Sequence, residues 1–432
     1  MQIKVKPVFV LGKGRAMFCR PDGCLERITD SEVIKSRVES LAQQLRERLK
    51  SDLDFMEPAL VKEEADFIEL RKDVPEADAL LIYLLGPMPI GRLLDLKIPL
   101  IAFSGEYTPM MALYAFPIER DYHTNLSIAL DFKEIADQIR LLQVRKRLKD
   151  TRVALIGFPP DWYSRWHHLP DPELVRHKLG VEIAPVEARE FLAEVSMIQE
   201  ARAEAVAREW MGNAQEVVEP SLAEVKEAAK MFIALDQILK QRRAQAVALN
   251  CLEPIFSLRP CLPLSWLRDN GVPAACEADV SALLTMLILG YIADKPAFMG
   301  NIVRADPENN LVMISHCIVP SKMAGLAQPA KPYRLRNYHG RYGVTAYVNL
   351  DRGQEVTIAR VARGLEKILA LRGKIVDCRD TVSCRTTITV EISDAREFIR
   401  KALGNHHVMV YGDHIGEIRA LSQAVGMNLI EL

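Results

Sequence analysis

Hydrophobic and polar positions come in alternating blocks along this chain, and the blocks read in turn as strands and helices. Residues 5–11 form a short apolar run, and residues 34–49 carry apolar side chains at helical spacing. Residues 79–85 end at Gly86-Pro87, and residues 100–103 end at Ser104-Gly105. Residues 131–149 read as an amphipathic helix whose basic end, Arg145-Lys146-Arg147, suits a helix C-terminus. Apolar strands followed by turn residues and helices mark a parallel α/β layer.

A second block of the same kind opens with the apolar strand at 152–157. Helical patterns follow at 187–211 and 222–242, then a strand at 246–250 and a helix at 279–292. Residues 324–332, rich in Ala, Pro and Lys, read as a linker. Beyond them the period changes. Residues 344–350, 355–361, 367–377 and 386–392 are β-rich, which predicts an antiparallel sheet or small barrel. A helix near 394–403, a strand at 407–411 and a helix near 415–425 close the chain. The fold class is therefore α/β. Two parallel-sheet α/β domains, residues 1–150 and 151–325, precede a β-rich, barrel-like domain at 326–432.

Composition narrows the partners. At roughly 150 residues per domain, 432 residues make about three domains. With 49% hydrophobic and 26% charged residues the chain is an ordinary globular one and not a disordered one. Fifty-six basic against 57 acidic residues leave a net charge of −1, which argues against nucleic-acid binding. The partner is then a small molecule or a second copy of the chain. No apolar run approaches the ~18 residues of a membrane span, and the N-terminal run is too short for a signal sequence. The eight cysteines are scattered without CxxC spacing and read as reduced thiols, so a cytoplasmic protein is expected.

Candidate chemistry gathers after residue 275. Gly12-Lys13-Gly14 lacks the third glycine of a dinucleotide loop. Neither a Walker A motif, a Gly-x-Ser-x-Gly elbow nor a His-Glu-x-x-His motif is present. What remains is a set of acids, amides and imidazoles at element ends. Glu277 and Asp279 precede an apolar helix, where carboxylates also serve as caps. Asn301 follows a strand-like run, and His316 closes another. His406 and His407 begin a strand, and adjacent strand residues point to opposite faces, so at most one faces a given metal. Mixed carboxylate and imidazole ligation suits a divalent ion such as Mn²⁺ better than a thiolate metal would.

At these residues the sequence resembles the L-fucose/L-arabinose isomerase family, particularly its short fucose-isomerase-like members. The segments are Ala275-Cys276-Glu277-Ala278-Asp279, Met299-Gly300-Asn301, Ser315-His316-Cys317, Cys384-Arg385-Thr386 and Asn405-His406-His407-Val408, with Gly157-Phe158-Pro159-Pro160-Asp161-Trp162 upstream. The similarity covers about residues 152–432. It implies Mn²⁺-dependent (or other divalent cation-dependent) aldose–ketose isomerisation of a sugar. It also implies a homo-oligomer, trimer or hexamer, with sites where subunits meet. Carried over, the ligands are Glu277, Asn301, His316 and His406, with His407 second to His406. The acid/base candidates are Glu277, Asn301 and Asp306, and Asp279 is a further acid. In the family His316 is a ligand or a substrate hydrogen-bond donor. Read from the residues themselves, Trp162, Arg268 and His407 are candidate substrate contacts, although Trp162 also reads as core and Arg268 as a partner of Asp269. Asn301 stands where the family has a carboxylate, and an amide cannot act as a base. Three other readings stay open: a different enediolate reaction on a modified sugar, a catalytically silent sugar-binding or regulatory relative, and an assembly component whose acids and histidines are structural.

Overall fold

The computed structural model describes residues 3–11, 16–19, 25–49, 53–85, 93, 96–103, 126–157, 169–252, 257–338, 343–382 and 384–432. Gly12-Lys13-Gly14 and Trp162 lie outside them. Two compact units divide the chain, Met1–Arg145 and Lys146–Leu432.

The first unit opens with β1 (Ile3–Val10) and an antiparallel hairpin of β2 (Ala16–Cys19) and β3 (Leu25–Ile28). Next come α1 (Ser31–Arg48), β4 (Leu53–Phe55), β5 (Ala59–Val61), α2 (Glu64–Asp73), β6 (Ala79–Leu84), β7 (Leu100–Phe103) and β8 (Leu126–Ala129). Strands pair in the order β4-β1-β6-β7-β8, with β5 also on β1, and every pairing is parallel. β6 and β7 are buried along their whole length, which is why both read as unbroken apolar runs. Asp30 caps α1 by accepting from the Glu32 and Val33 amides.

Helix α3 (Phe132–Lys149) crosses into the second unit. That unit continues with β9 (Arg152–Ile156), α4 (Pro172–Leu179), β10 (Glu182–Val186), α5 (Ala188–Met197), α6 (Glu200–Asn213), β11 (Glu216–Val217), α7 (Leu222–Arg242) and β12 (Ala246–Leu249). The single helix expected over 187–211 is two helices, because Ile198 and Gln199 are extended and start a new helical turn at Glu200. α7 matches its predicted span, and a Ser221–Glu224 capping box fixes its start. Then come α8 (Cys261–Asp269), β13 (Ala274–Ala275) and α9 (Val280–Ala293). Strands β10-β9-β12-β13 form a second parallel sheet.

The remaining strands are β14 (Phe298–Asp306), β15 (Leu311–His316), β16 (Tyr333–Asn337), β17 (Val344–Val348), β18 (Glu355–Val361), β19 (Lys367–Asp380), β20 (Thr386–Ile392), β21 (His406–Tyr411) and β22 (Asn428–Glu431). The helices α10 (Ala395–Lys401) and α11 (Ile415–Ala424) lie among them. Six strands pair antiparallel in the order β18-β21-β14-β15-β20-β19, and β18 pairs β19 again, so the sheet closes into a barrel. β22 adds to β19 in parallel. The barrel takes strands from both sides of residue 325. β17, read from sequence with the barrel strands, instead joins β16 and β11 in a separate three-stranded sheet.

α9 is apolar on nearly every side, as a fully enclosed helix must be. It contacts β12 and β13 of the parallel sheet and β18 and β21 of the barrel. Its N-terminus is where the candidate chemistry lies.

Candidate functional site

β12 and β13 run side by side, with Ala248 opposite Ala275, so Cys251 and Cys276 follow neighbouring carboxyl ends of a parallel sheet. That end is where α/β sheets place ligands. After Cys276 the backbone turns through two consecutive left-handed residues, Glu277 at φ 54° and Ala278 at φ 48°. Neither is glycine, and such a conformation costs about 1–2 kcal/mol per residue. Two hydrogen bonds hold the turn: the Ala278 amide donates to the Leu249 carbonyl at 3.0 Å, and the Asp279 amide to the Cys276 carbonyl at 3.1 Å. Glu277 keeps 29% of its side chain in solvent, so its carboxylate can exchange protons with water.

Asp279 has a different surrounding. One carboxylate oxygen accepts from the Ala282 amide at 2.8 Å and caps α9. The other meets His406 Nδ1 at 2.9 Å and accepts from Arg360 Nη1 at 2.7 Å. Burial alone would raise this carboxyl's pKa, but Arg360 and His406 outweigh it and hold the group well below the usual carboxylate range. An ionised carboxylate only accepts, so Nδ1 of His406 carries a proton and donates it to Asp279. Nε2 then faces Glu277, whose Oε2 is 3.6 Å away. This is the arrangement in which a carboxylate fixes the tautomer of a metal-ligating histidine. Gly404 leaves room for the guanidinium, since a Cβ there would stand 2.9 Å from Arg360 Nη2.

The barrel supplies the rest. β14 sets Asn301 opposite His406 on β21 and opposite Ser315 on β15, one residue before His316. The Asn301 Oδ1 is buried without a hydrogen-bond partner among the described residues. The His316 ring lies edge-on to His406 at 5.3 Å and places Nε2 3.5 Å from the Cys276 sulfur. His407 points the other way, against Phe398 of α10 at 4.9 Å, as strand alternation requires. Glu277, Asp279, His316 and His406 thus come together from segments far apart in the chain, and the sheet register sets Asn301 beside His406.

Asp306 and Arg268 do not join them. Asp306 caps the β14–β15 turn, accepting from the Glu308 and Asn309 amides, five residues and about 16 Å along the strand from Asn301. Arg268 is fully buried on α8 and donates to the Ala274 carbonyl at 2.8 Å and the Ile318 carbonyl at 2.7 Å. It ties β13 to the segment after β15. Arg360 was missed in the sequence. Its signal was a charge on a strand face otherwise made of Ile358 and Val356, the residues two and four positions before it.

Two buried imidazoles give a pH prediction. Burial, with Arg360 adding to it, pushes His407 down to about 3. Burial, with His406 and Arg268 adding, holds His316 well below the ordinary value. Both folded pKa values lie below the unfolded ~6.5, so the unfolded chain takes up protons that the native chain refuses. Stability is therefore present above about pH 6.5 and falls as the pH drops. For His407 the loss by pH 5 is on the order of 2 kcal/mol. Thermal melts from pH 7 to 5 should show a steeper fall for wild type than for His407→Phe; equal slopes would refute the assignment.

No protein-family model matches the chain. It is similar to sulfoquinovose isomerases. One, from Alkalicoccus urumqiensis, is 23% identical over 319 residues, covering 69% of each chain. Another, from Clostridium sp. (strain MSTE9), is 26% identical over 298 residues, covering 66% of this chain and 65% of the relative. Among solved structures, a periplasmic solute-binding protein of an ABC transporter from Actinobacillus succinogenes 130z, crystallised with D-allose, is 10% identical. The match covers 67% of this chain and 92% of that one, but a TM-score of 0.16 supports no shared fold.

Proposed function

We propose that this chain is a divalent-metal-dependent aldose–ketose isomerase whose substrate is a sugar or an acidic sugar derivative, a sulfonated hexose being the first to try. The observation that carries the reading is the pairing of Glu277 with a His406 whose tautomer is fixed by buried Asp279. Similarity to sulfoquinovose isomerases supports the reaction class and the acidic substrate. The donor set fits a cation: one carboxylate, two imidazoles and a buried amide oxygen with no other partner among the described residues. Glu277, Asn301, His316 and His406 would hold it. When bound, such an ion polarises the neighbouring oxygens of the sugar and acidifies the carbon-bound proton between them.

The chain's own groups do the rest. Glu277 is the base that takes the proton from C2 of the aldose and returns it at C1, and its solvent access lets that proton wash out. His316, held neutral by burial, keeps a ring-nitrogen lone pair for the cation without adding a second positive charge. Asp279 takes no proton; it orients His406.

The test is incubation of the metal-loaded protein in D₂O with a panel of aldoses that includes a 6-sulfonated hexose. Loss of the C2 proton signal and growth of a ketose are expected, and silence across the panel would refute the reading. The amide at Asn301 favours a second reading, an enediolate reaction other than plain isomerisation. If Asn301 is the site's only defect as an isomerase, Asn301→Asp raises isomerase turnover. An unchanged rate, read by the same proton exchange, would favour the second reading.

A further inference from the structure

Cys276 and Glu277 adjoin in sequence, and side chains that adjoin on an extended chain point to opposite faces. Here they converge. The left-handed turn at Glu277 and Ala278 brings the Cys276 sulfur, a Glu277 carboxylate oxygen and a His316 ring nitrogen all within 4.8 Å of one another. Thiol and ring are almost out of water, at 3% and 5% exposure. His316 faces the sulfur with Nε2, while its Nδ1 is buried without a hydrogen-bond partner among the described residues. A cysteine packed for apolar contact alone has no need of a strained turn that adds a carboxylate and an imidazole to its surroundings.

We propose that the divalent cation of this site is also bound by Cys276 as a thiolate, alongside Glu277 and His316, in a mixed sulfur, nitrogen and oxygen centre. The proposal rests on the reading that the site holds a cation and changes which cation it selects. On binding, the Cys276 S–H proton is released to solvent and the sulfur lone pair takes its place on the metal. Thiolate beside imidazole favours zinc, cobalt or iron over manganese, whereas oxygen and imidazole alone suit manganese. The hard-ion preference expected from the sequence is then reversed. Cys251, whose thiol is in hydrogen-bond contact with Cys276, is the natural control.

The experiment is a titration of the chelator-stripped full chain with Co²⁺, followed by absorption. Wild type should develop visible cobalt bands together with an intense near-ultraviolet sulfur-to-cobalt band. Cys276→Ser should lose the near-ultraviolet band and bind cobalt at least about tenfold more weakly, while Cys251→Ser keeps the band. Visible bands without the sulfur band in wild type would overturn the thiolate but leave the cation reading standing. A sulfur band lost in Cys251→Ser and kept in Cys276→Ser would also overturn it. No cobalt bands at all would overturn both. Should Cys276→Ser not fold, X-ray absorption on wild type decides alone. One sulfur scatterer at about 2.3 Å supports the proposal, and none refutes it.

Discussion

Glu277→Gln is expected to lower isomerase turnover by about 10²–10⁴-fold, the usual worth of a positioned acid/base group. Glutamine keeps the shape and the hydrogen-bonding oxygen but cannot accept a proton from carbon. The fold should survive the change, because the Glu277 side chain is partly in solvent and no core packing depends on its charge. The turn is held by the Ala278 and Asp279 amides, neither of which the substitution touches. Proton exchange at C2, followed by NMR in D₂O, measures the effect, and circular dichroism checks the fold. A variant that exchanged the C2 proton at half the wild-type rate would remove Glu277 from the mechanism.

Arg360→Met is expected to cost about 3–5 kcal/mol, because it leaves the Asp279 carboxylate buried without its guanidinium. Arg360 is 1% exposed and Asp279 is fully enclosed, so neither charge can turn to water when the other is lost. Asp279→Asn in the same background should recover part of the loss, since an amide keeps the helix cap and carries no charge to strand. All four tryptophans fall after residue 146, so their fluorescence during urea unfolding reports on the unit that holds the pair. Equal denaturation midpoints for wild type and Arg360→Met would refute the claim. The acid limb has a defined sign. With its pKa held low in the folded state, Asp279 contributes stability above about pH 4, and that stability is withdrawn as the pH falls further. The Arg360→Met variant should lose much of this acid dependence.

Local pattern made much of the architecture legible. The helix at Leu222–Arg242 and the strands Glu355–Val361 and Thr386–Ile392 fall where periodicity put them, because each has a clear stop residue and a regular apolar face. The break at Ile198 was not legible, since the amphipathic period continues across it. Nor was closure of the barrel: β18 pairs β21 and β19, a choice between distant strands that no local signal encodes. The site divides in the same way. Glu277 and Asp279 stood out because two acids precede an apolar helix. Their meeting with Asn301, His316 and His406 depends on the register of β14 between β15 and β21. Asp306 looked equal to the others as a carboxylate, but its place at a hairpin turn takes it out of reach.

The enclosed helix α9 has a further consequence for motion. Because it touches both the parallel sheet and the barrel, neither can open far without stripping it. Its amides should therefore exchange with deuterium only when the whole second unit unfolds. The cap at Asp279 belongs to that slow element, and through it His406 is held on the timescale of global unfolding. Any opening that admits a sugar must then come from parts of the unit other than the floor of the site.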